Sequence, residues 1–177
     1  MANFDPFADL LLILEGGYGN YKEDSGGPTK YGVILATWKQ YGYDKNGDHK
    51  IDENDIKLLT KDDARKIAKK QFWDYFQADQ IKNQSIASII VDWGYNSGRG
   101  TAASLVQKLL GITADGKFGT ATITVINNAN QQELFNKIKT ARKTFYDRIV
   151  ARNPTQKIFY KGWLNRIGHF VFSDFTP

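Results

Sequence analysis

Three side chains near the N-terminus have the types and spacing for acid chemistry: Glu15, Asp24 and Thr29. Glu15 closes an apolar run that begins at Leu10, and Gly16 and Gly17 follow it at once. A carboxylate at a helix C-terminus faces the negative end of the helix dipole, and apolar neighbours such as Leu11 and Leu14 disfavour its charge further. Both effects act to keep the group protonated, the state that a general acid for glycoside cleavage requires. The glycines leave room beside it for a polymeric substrate. Asp24 is the candidate for the second carboxylate, with Glu23 its competitor, and Thr29 is placed to orient a water. A plainer account also stands: Glu followed by Gly is a common helix end, and Asp24-Ser25-Gly26-Gly27-Pro28 is an ordinary turn.

The elements that must position these groups are mostly helical. Asp5 and Pro6 suit the N-cap and first position of a helix, and Phe7, Leu10, Leu11 and Leu14 fall on one face, so a short helix over about residues 5–15 ends on Glu15. Residues 18–34, rich in Gly and Tyr, predict an irregular β-hairpin or loop. A helix follows over 35–42, and then a polar loop over 44–55. Thr60, with Asp63 three positions on, caps a helix that turns Ala64, Ile67, Ala68 and Phe72 inward. Further helices are expected over about 84–96, 101–110, 119–127, 131–151 and 156–168. In the long one, Leu134, Ile138, Ala141, Phe145 and Ile149 form the apolar stripe beneath a basic outer face. The expected fold class is mainly α (α+β), with a small β-hairpin near the N-terminus.

Composition narrows the chemistry. The 177 residues suffice for one well-packed domain. Cysteine is absent, which excludes disulfides, thiol catalysis and thiolate metal sites. His49 and His169 lie far apart, and neither sits in a nucleophile-elbow context. The net charge of +5 suits an acidic polymer such as a bacterial wall, an anionic membrane or nucleic acid. No basic run with interleaved aromatics supports nucleic acid. No apolar stretch approaches a membrane span, and no basic leader segment precedes the first apolar run. The expectation is a monomer made in the cytoplasm without a classical signal peptide, with no stable membrane insertion.

The stretch Glu15-Gly16-Gly17-Tyr18, then Asp24, then Gly26-Gly27-Pro28-Thr29-Lys30-Tyr31-Gly32-Val33 resembles the signature of glycoside hydrolase family 108. These are lysozyme-like N-acetylmuramidases of bacteria and phages, also labelled secretion activators. The resemblance implies that Glu15 is the catalytic acid and that the fold is lysozyme-like, with the hairpin flanking a substrate cleft. It implies cleavage of the β-1,4 bond between N-acetylmuramic acid and N-acetylglucosamine in peptidoglycan, in the periplasm or at the cell wall. The order Glu15, Asp24, Thr29 is also similar to the phage-type lysozyme active site, with Thr29 one residue closer. Tyr18 and Tyr31 of the same stretch are candidate substrate contacts. A holin or a secretion system is the candidate route or partner.

The similarity continues into Asp92-Trp93-Gly94-Tyr95-Asn96-Ser97-Gly98, Leu105 to Gly111, and Asp115-Gly116-Lys117-Phe118-Gly119-Thr120, which resemble a predicted peptidoglycan-binding region. Tyr95 can stack on a sugar ring and Asn96 can bond its acetamido and hydroxyl groups. Trp93 and Trp163 read as buried core. Arg142 and Tyr146 are candidates for the cleft on residue type alone. The expected organisation is a catalytic lobe over 1–83 and a peptidoglycan-binding-like lobe over 84–177, packed as one body. A non-catalytic wall-binding or secretion-associated protein is the alternative function.

Residues 44–55 carry a second pattern. Asp44, Asn46, Asp48, Lys50 through its carbonyl, Asp52 and Asp55 occupy positions 1, 3, 5, 7, 9 and 12 of an EF-hand-like loop. The loop is similar to the dockerin type, which also ends in Asp. His49 stands at the sixth position, where Gly is usual, and must adopt a positive φ. The expectation is a structural calcium, with no cofactor needed for catalysis; a solvated polar turn is the alternative.

Overall fold

The computed structural model describes residues 1–15, 18–19 and 29–174. The chain is mainly helical and divides into two compact units, Asp5–Gln71 and Met1–Phe4 with Phe72–Pro177.

In the first unit, α1 (Phe4–Glu15) leads into a three-stranded antiparallel sheet of β1 (Tyr18–Gly19), β2 (Thr29–Lys30) and β3 (Val33–Ile34). The expected hairpin is thus a small meander: Tyr18 pairs with Lys30, Gly19 with Thr29, and Thr29 in turn with Ile34. Tyr31 (φ 53) and Gly32 (φ 75) make the two-residue turn between β2 and β3. Two successive positive φ values match the right-handed twist of the flanking strands. Helix α1 starts one residue before the expected cap. Asp5 is therefore inside the first turn, where with Asp9 it pairs to Arg65 at 2.5 and 2.6 Å.

Helices α2 (Leu35–Tyr41), α3 (Glu53–Leu58) and α4 (Lys61–Ala68) complete the unit. Val33, Trp38, Ile56, Leu59, Ala64 and Ile67 are buried as one cluster, with Leu12, Tyr31, Leu35 and Ile51 packed against it. Helix α3 begins inside the segment expected to be loop. Asp52 and Asp55 form a reciprocal capping box that starts it, and Thr60 and Asp63 do the same for α4. After Ala68 the chain widens into a π-helical turn, Lys69–Trp73.

The second unit is built around α5 (Gln84–Ser97), whose residues from Ile86 through Gly94 are all buried. A helix that is apolar on every side belongs at the centre of a bundle, and α6 (Arg99–Leu109), α8 (Gln131–Arg152) and α9 (Lys157–Gly168), with the shorter α7 (Thr120–Asn128), make up the rest of it. Gly94 is a packing requirement: a Cβ there would lie 2.4 Å from the Phe76 ring. The Asp115–Phe118 turn is pinned by buried Gln107. Its amide donates to the Asp115 carboxylate (2.8 Å) and the Lys117 carbonyl (2.9 Å), and its carbonyl accepts from the Gly116 N–H (2.9 Å). Phe118 is buried and Gly119 caps α7. No helix among the described residues is long and apolar enough to cross a membrane.

Candidate functional site

Glu15 is the last residue of α1 and is half-buried, with Leu11 buried one turn before it. In the sheet that follows, Thr29 sits in the central strand, opposite Gly19 on one side and Ile34 on the other, and Tyr31 lies in the turn after it. Tyr31 packs against the apolar cluster of its unit, with the Lys30 ammonium 5.7 Å from its ring centre. Part of that tyrosine therefore serves the core. Asp24 and Glu23 lie outside the described residues, as do Gly16, Gly17 and residues 26–28.

Tyr95 and Asn96 are in the second unit, at the C-terminal turn of α5, and both are half-buried. The Tyr95 ring packs at 4.6 Å on Phe72. Asn96 donates from its amide nitrogen to the Tyr146 hydroxyl at 2.8 Å. Each substrate candidate thus has a partner within the fold that holds its orientation. Trp93 is fully buried, as expected, and its indole N–H has no partner among the described residues.

Sequence reasoning missed the strongest electrostatic feature of this unit. Asp92, wholly buried in α5, accepts from Arg142 of α8 (2.7 Å) and from Arg166 of α9 (2.6 Å). Burial alone would raise the Asp92 pKa, but Arg166 and then Arg142 outweigh it and hold the carboxyl below its ordinary range. Arg142 is therefore not a surface residue of a cleft. It is buried, and its Nε donates to the Tyr146 hydroxyl at 3.2 Å. The expected apolar stripe of α8 is corrected with it: the fully buried row is Leu134, Ile138, Arg142 and Tyr146, with Phe135, while Ala141, Phe145 and Ile149 are half-buried. Residues 134, 138, 142 and 146 are four apart, so the row was visible as a helical face. An arginine in the row hid it, and so did the expectation that charge faces water. Trp163, expected to be core, is only half-buried, and it stacks on Tyr146 at 4.9 Å.

In the polar loop, His49 takes φ 64, the left-handed conformation that the spacing demands. Asp44 accepts from the backbone N–H groups of Gly47 and His49, both at 2.7 Å. Asp48 accepts from Lys50, and Asn46 from Asp48. Asp52 caps α3, and the two oxygens of buried Asp55 accept from Lys45 (2.7 Å) and Asp52 (2.8 Å). Those bonds, from Asp52 first and Lys45 next, hold the Asp55 carboxyl below its ordinary range. Among the described residues no three His, Asp or Glu side chains converge as a metal site needs. The side-chain oxygens with calcium-loop spacing accept from the chain's own N–H groups.

The fold is mainly helical and lysozyme-like, and a glutamate ends its first helix ahead of a small sheet. The chain belongs to the glycosyl hydrolase 108 family, which matches residues 8–98. Residues 101–168 match a predicted peptidoglycan domain. Among solved structures, Brucella abortus SagA is similar at 25% identity with a TM-score of 0.78, over 94% of this chain and 90% of that one. No curated protein matches the chain.

Proposed function

We propose that the protein is a peptidoglycan hydrolase that cleaves the β-1,4 bond between N-acetylmuramic acid and N-acetylglucosamine, with Glu15 as its general acid. The observation that carries this reading is the position of Glu15, half-buried at the end of α1 within the family-matched segment. Glu15 would protonate the leaving oxygen as an oxocarbenium-like transition state forms. Asp24 would stabilise that charge or position water, together with Thr29 of the central strand. The likeness to phage lysozymes favours inversion. The site of action is the cell wall, reached through a holin or an exporter.

The test is digestion of purified peptidoglycan by the wild type and by Glu15→Gln, with mass analysis of the soluble fragments. Reducing-end muropeptides from the wild type alone are the expected result. Anhydro-muramic ends would mean transglycosylation. No release by either, with folded protein pelleting with the wall, would leave the binding function that the match over residues 101–168 favours.

A further inference from the structure

The basic residues of α8 divide into two groups. Lys137 pairs with Glu133 (2.6 Å), Lys143 pairs with Asp147 (2.9 Å), Lys139 donates to the Phe170 carbonyl (2.8 Å), and Arg142 is buried against Asp92. Arg148 and Arg152 are exposed and have no ion pair or hydrogen bond among the described residues. Both stand on the rim of one open groove of about 350 Å³ between α6 and α8, and Lys108 of α6, likewise exposed and unpaired, is a third rim residue.

The groove follows from two matching helix faces. Residues 101, 104, 105 and 108 of α6 and residues 145, 148, 149 and 152 of α8 each follow the i, i+3, i+4, i+7 spacing of a single face. Its apolar part is Leu105, Phe145 and Ile149, all half-buried, and Phe145 is fixed from beneath by an edge contact to Trp93 at 6.0 Å. Among the described residues no acidic side chain lines it. Three cations around an apolar recess, none of them compensated, complement a ligand with several carboxylates and short apolar side chains. A flat bilayer would reach the rim but not the recessed floor; a short extended peptide reaches both.

We propose that the α6–α8 groove binds the acidic stem peptides of peptidoglycan, carboxylates on Lys108, Arg148 and Arg152 and alanine methyls on Leu105, Phe145 and Ile149. The proposal rests on the wall reading of the function, and all these residues lie within the segment matched by the peptidoglycan domain. It gives that segment a grip on the peptide while the glycan is cut elsewhere.

The experiment titrates stem peptide, freed from glycan by an amidase, into the full chain by calorimetry. The Lys108→Gln/Arg148→Gln/Arg152→Gln variant is expected to bind at least tenfold more weakly, and Lys161→Gln, exposed and outside the groove, to bind as the wild type does. Peptide with its carboxylates amidated is expected not to bind. A melting curve checks the triple variant, and single Arg148→Glu replaces it if it does not fold. Equal binding by the variants, no binding by the wild type, or retention of phosphatidylglycerol vesicles in place of peptide overturns the groove. Muropeptide release without peptide binding refutes the groove and leaves the hydrolase. Peptide binding without release does the reverse.

Discussion

Asn96 at the end of α5 and Tyr146 in the middle of α8 are joined by a 2.8 Å hydrogen bond across 50 residues of sequence. The same hydroxyl receives the Arg142 Nε, and Ser97 lies 3.4 Å away. One buried phenol therefore ties the Asp-Trp-Gly-Tyr-Asn stretch to the charged centre of its bundle. Removing it leaves buried donors unmatched. Tyr146→Phe should lower unfolding free energy by about 1–3 kcal/mol, and Asn96→Ala by less, since Asn96 is half-exposed. Paired urea titrations measure both; equal losses would mean that the hydroxyl is not the shared acceptor.

Asp92→Asn and Arg142→Met should differ in severity. The first leaves Arg142 buried with no counter-charge, an effect of about 3–5 kcal/mol. At about 2–4 °C per kcal/mol for a chain this long, the melting temperature falls by roughly 10 °C. The second leaves Asp92 still paired with Arg166 at 2.6 Å, and its loss should be the smaller. Calorimetry of the two variants reads the order directly.

Asp63 gives the pH dependence. Burial would raise its pKa, but hydrogen bonds from Lys45 and Thr60 outweigh that and hold it below the ordinary 3.8. A carboxyl whose folded pKa is depressed stabilises the fold above its unfolded pKa, and that stability is lost as pH falls through the folded value. Asp63→Asn should therefore be less stable than the wild type at pH 7, with the gap closing below about pH 4. Stability curves at several acid pH values test it; a gap that stays constant would remove the charge from the account.

The loop over 44–55 should show no calcium effect on melting. Both oxygens of Asp55 are already held by backbone N–H groups at 2.7 and 2.8 Å. A rise of several degrees in millimolar calcium over EDTA would mean that those bonds yield to the ion. His49→Gly, by contrast, should raise stability by up to about 1 kcal/mol by removing a side chain from a left-handed residue.

Much of this molecule was legible in its sequence. The capping pair Thr60 and Asp63, the apolar helix around Ile89 and the Asp115–Gly119 turn all carry local signals, and each forms as its local chemistry directs. Helix α3 was hidden because its capping box, Asp52 and Asp55, uses the same residues as a calcium-loop pattern. The Asp92 cluster was hidden for another reason. A lone aspartate in an apolar run announces a buried partner but not which one, because the arginines that answer it lie 50 and 74 residues away. The β1–β2–β3 meander was blurred by glycines and tyrosines that suit turn and strand alike.

The Asp92 cluster also orders events in time. In a chain made from its N-terminus, α5 leaves the ribosome well before Arg142 and Arg166. Until they arrive, its apolar surface carries an unanswered carboxylate, which opposes early collapse around that helix. The charged centre of the bundle is therefore complete only when α8 and α9 have been delivered, 50 and 74 residues further along the chain. A charge in the middle of the core thus ties the last two helices of the chain to α5.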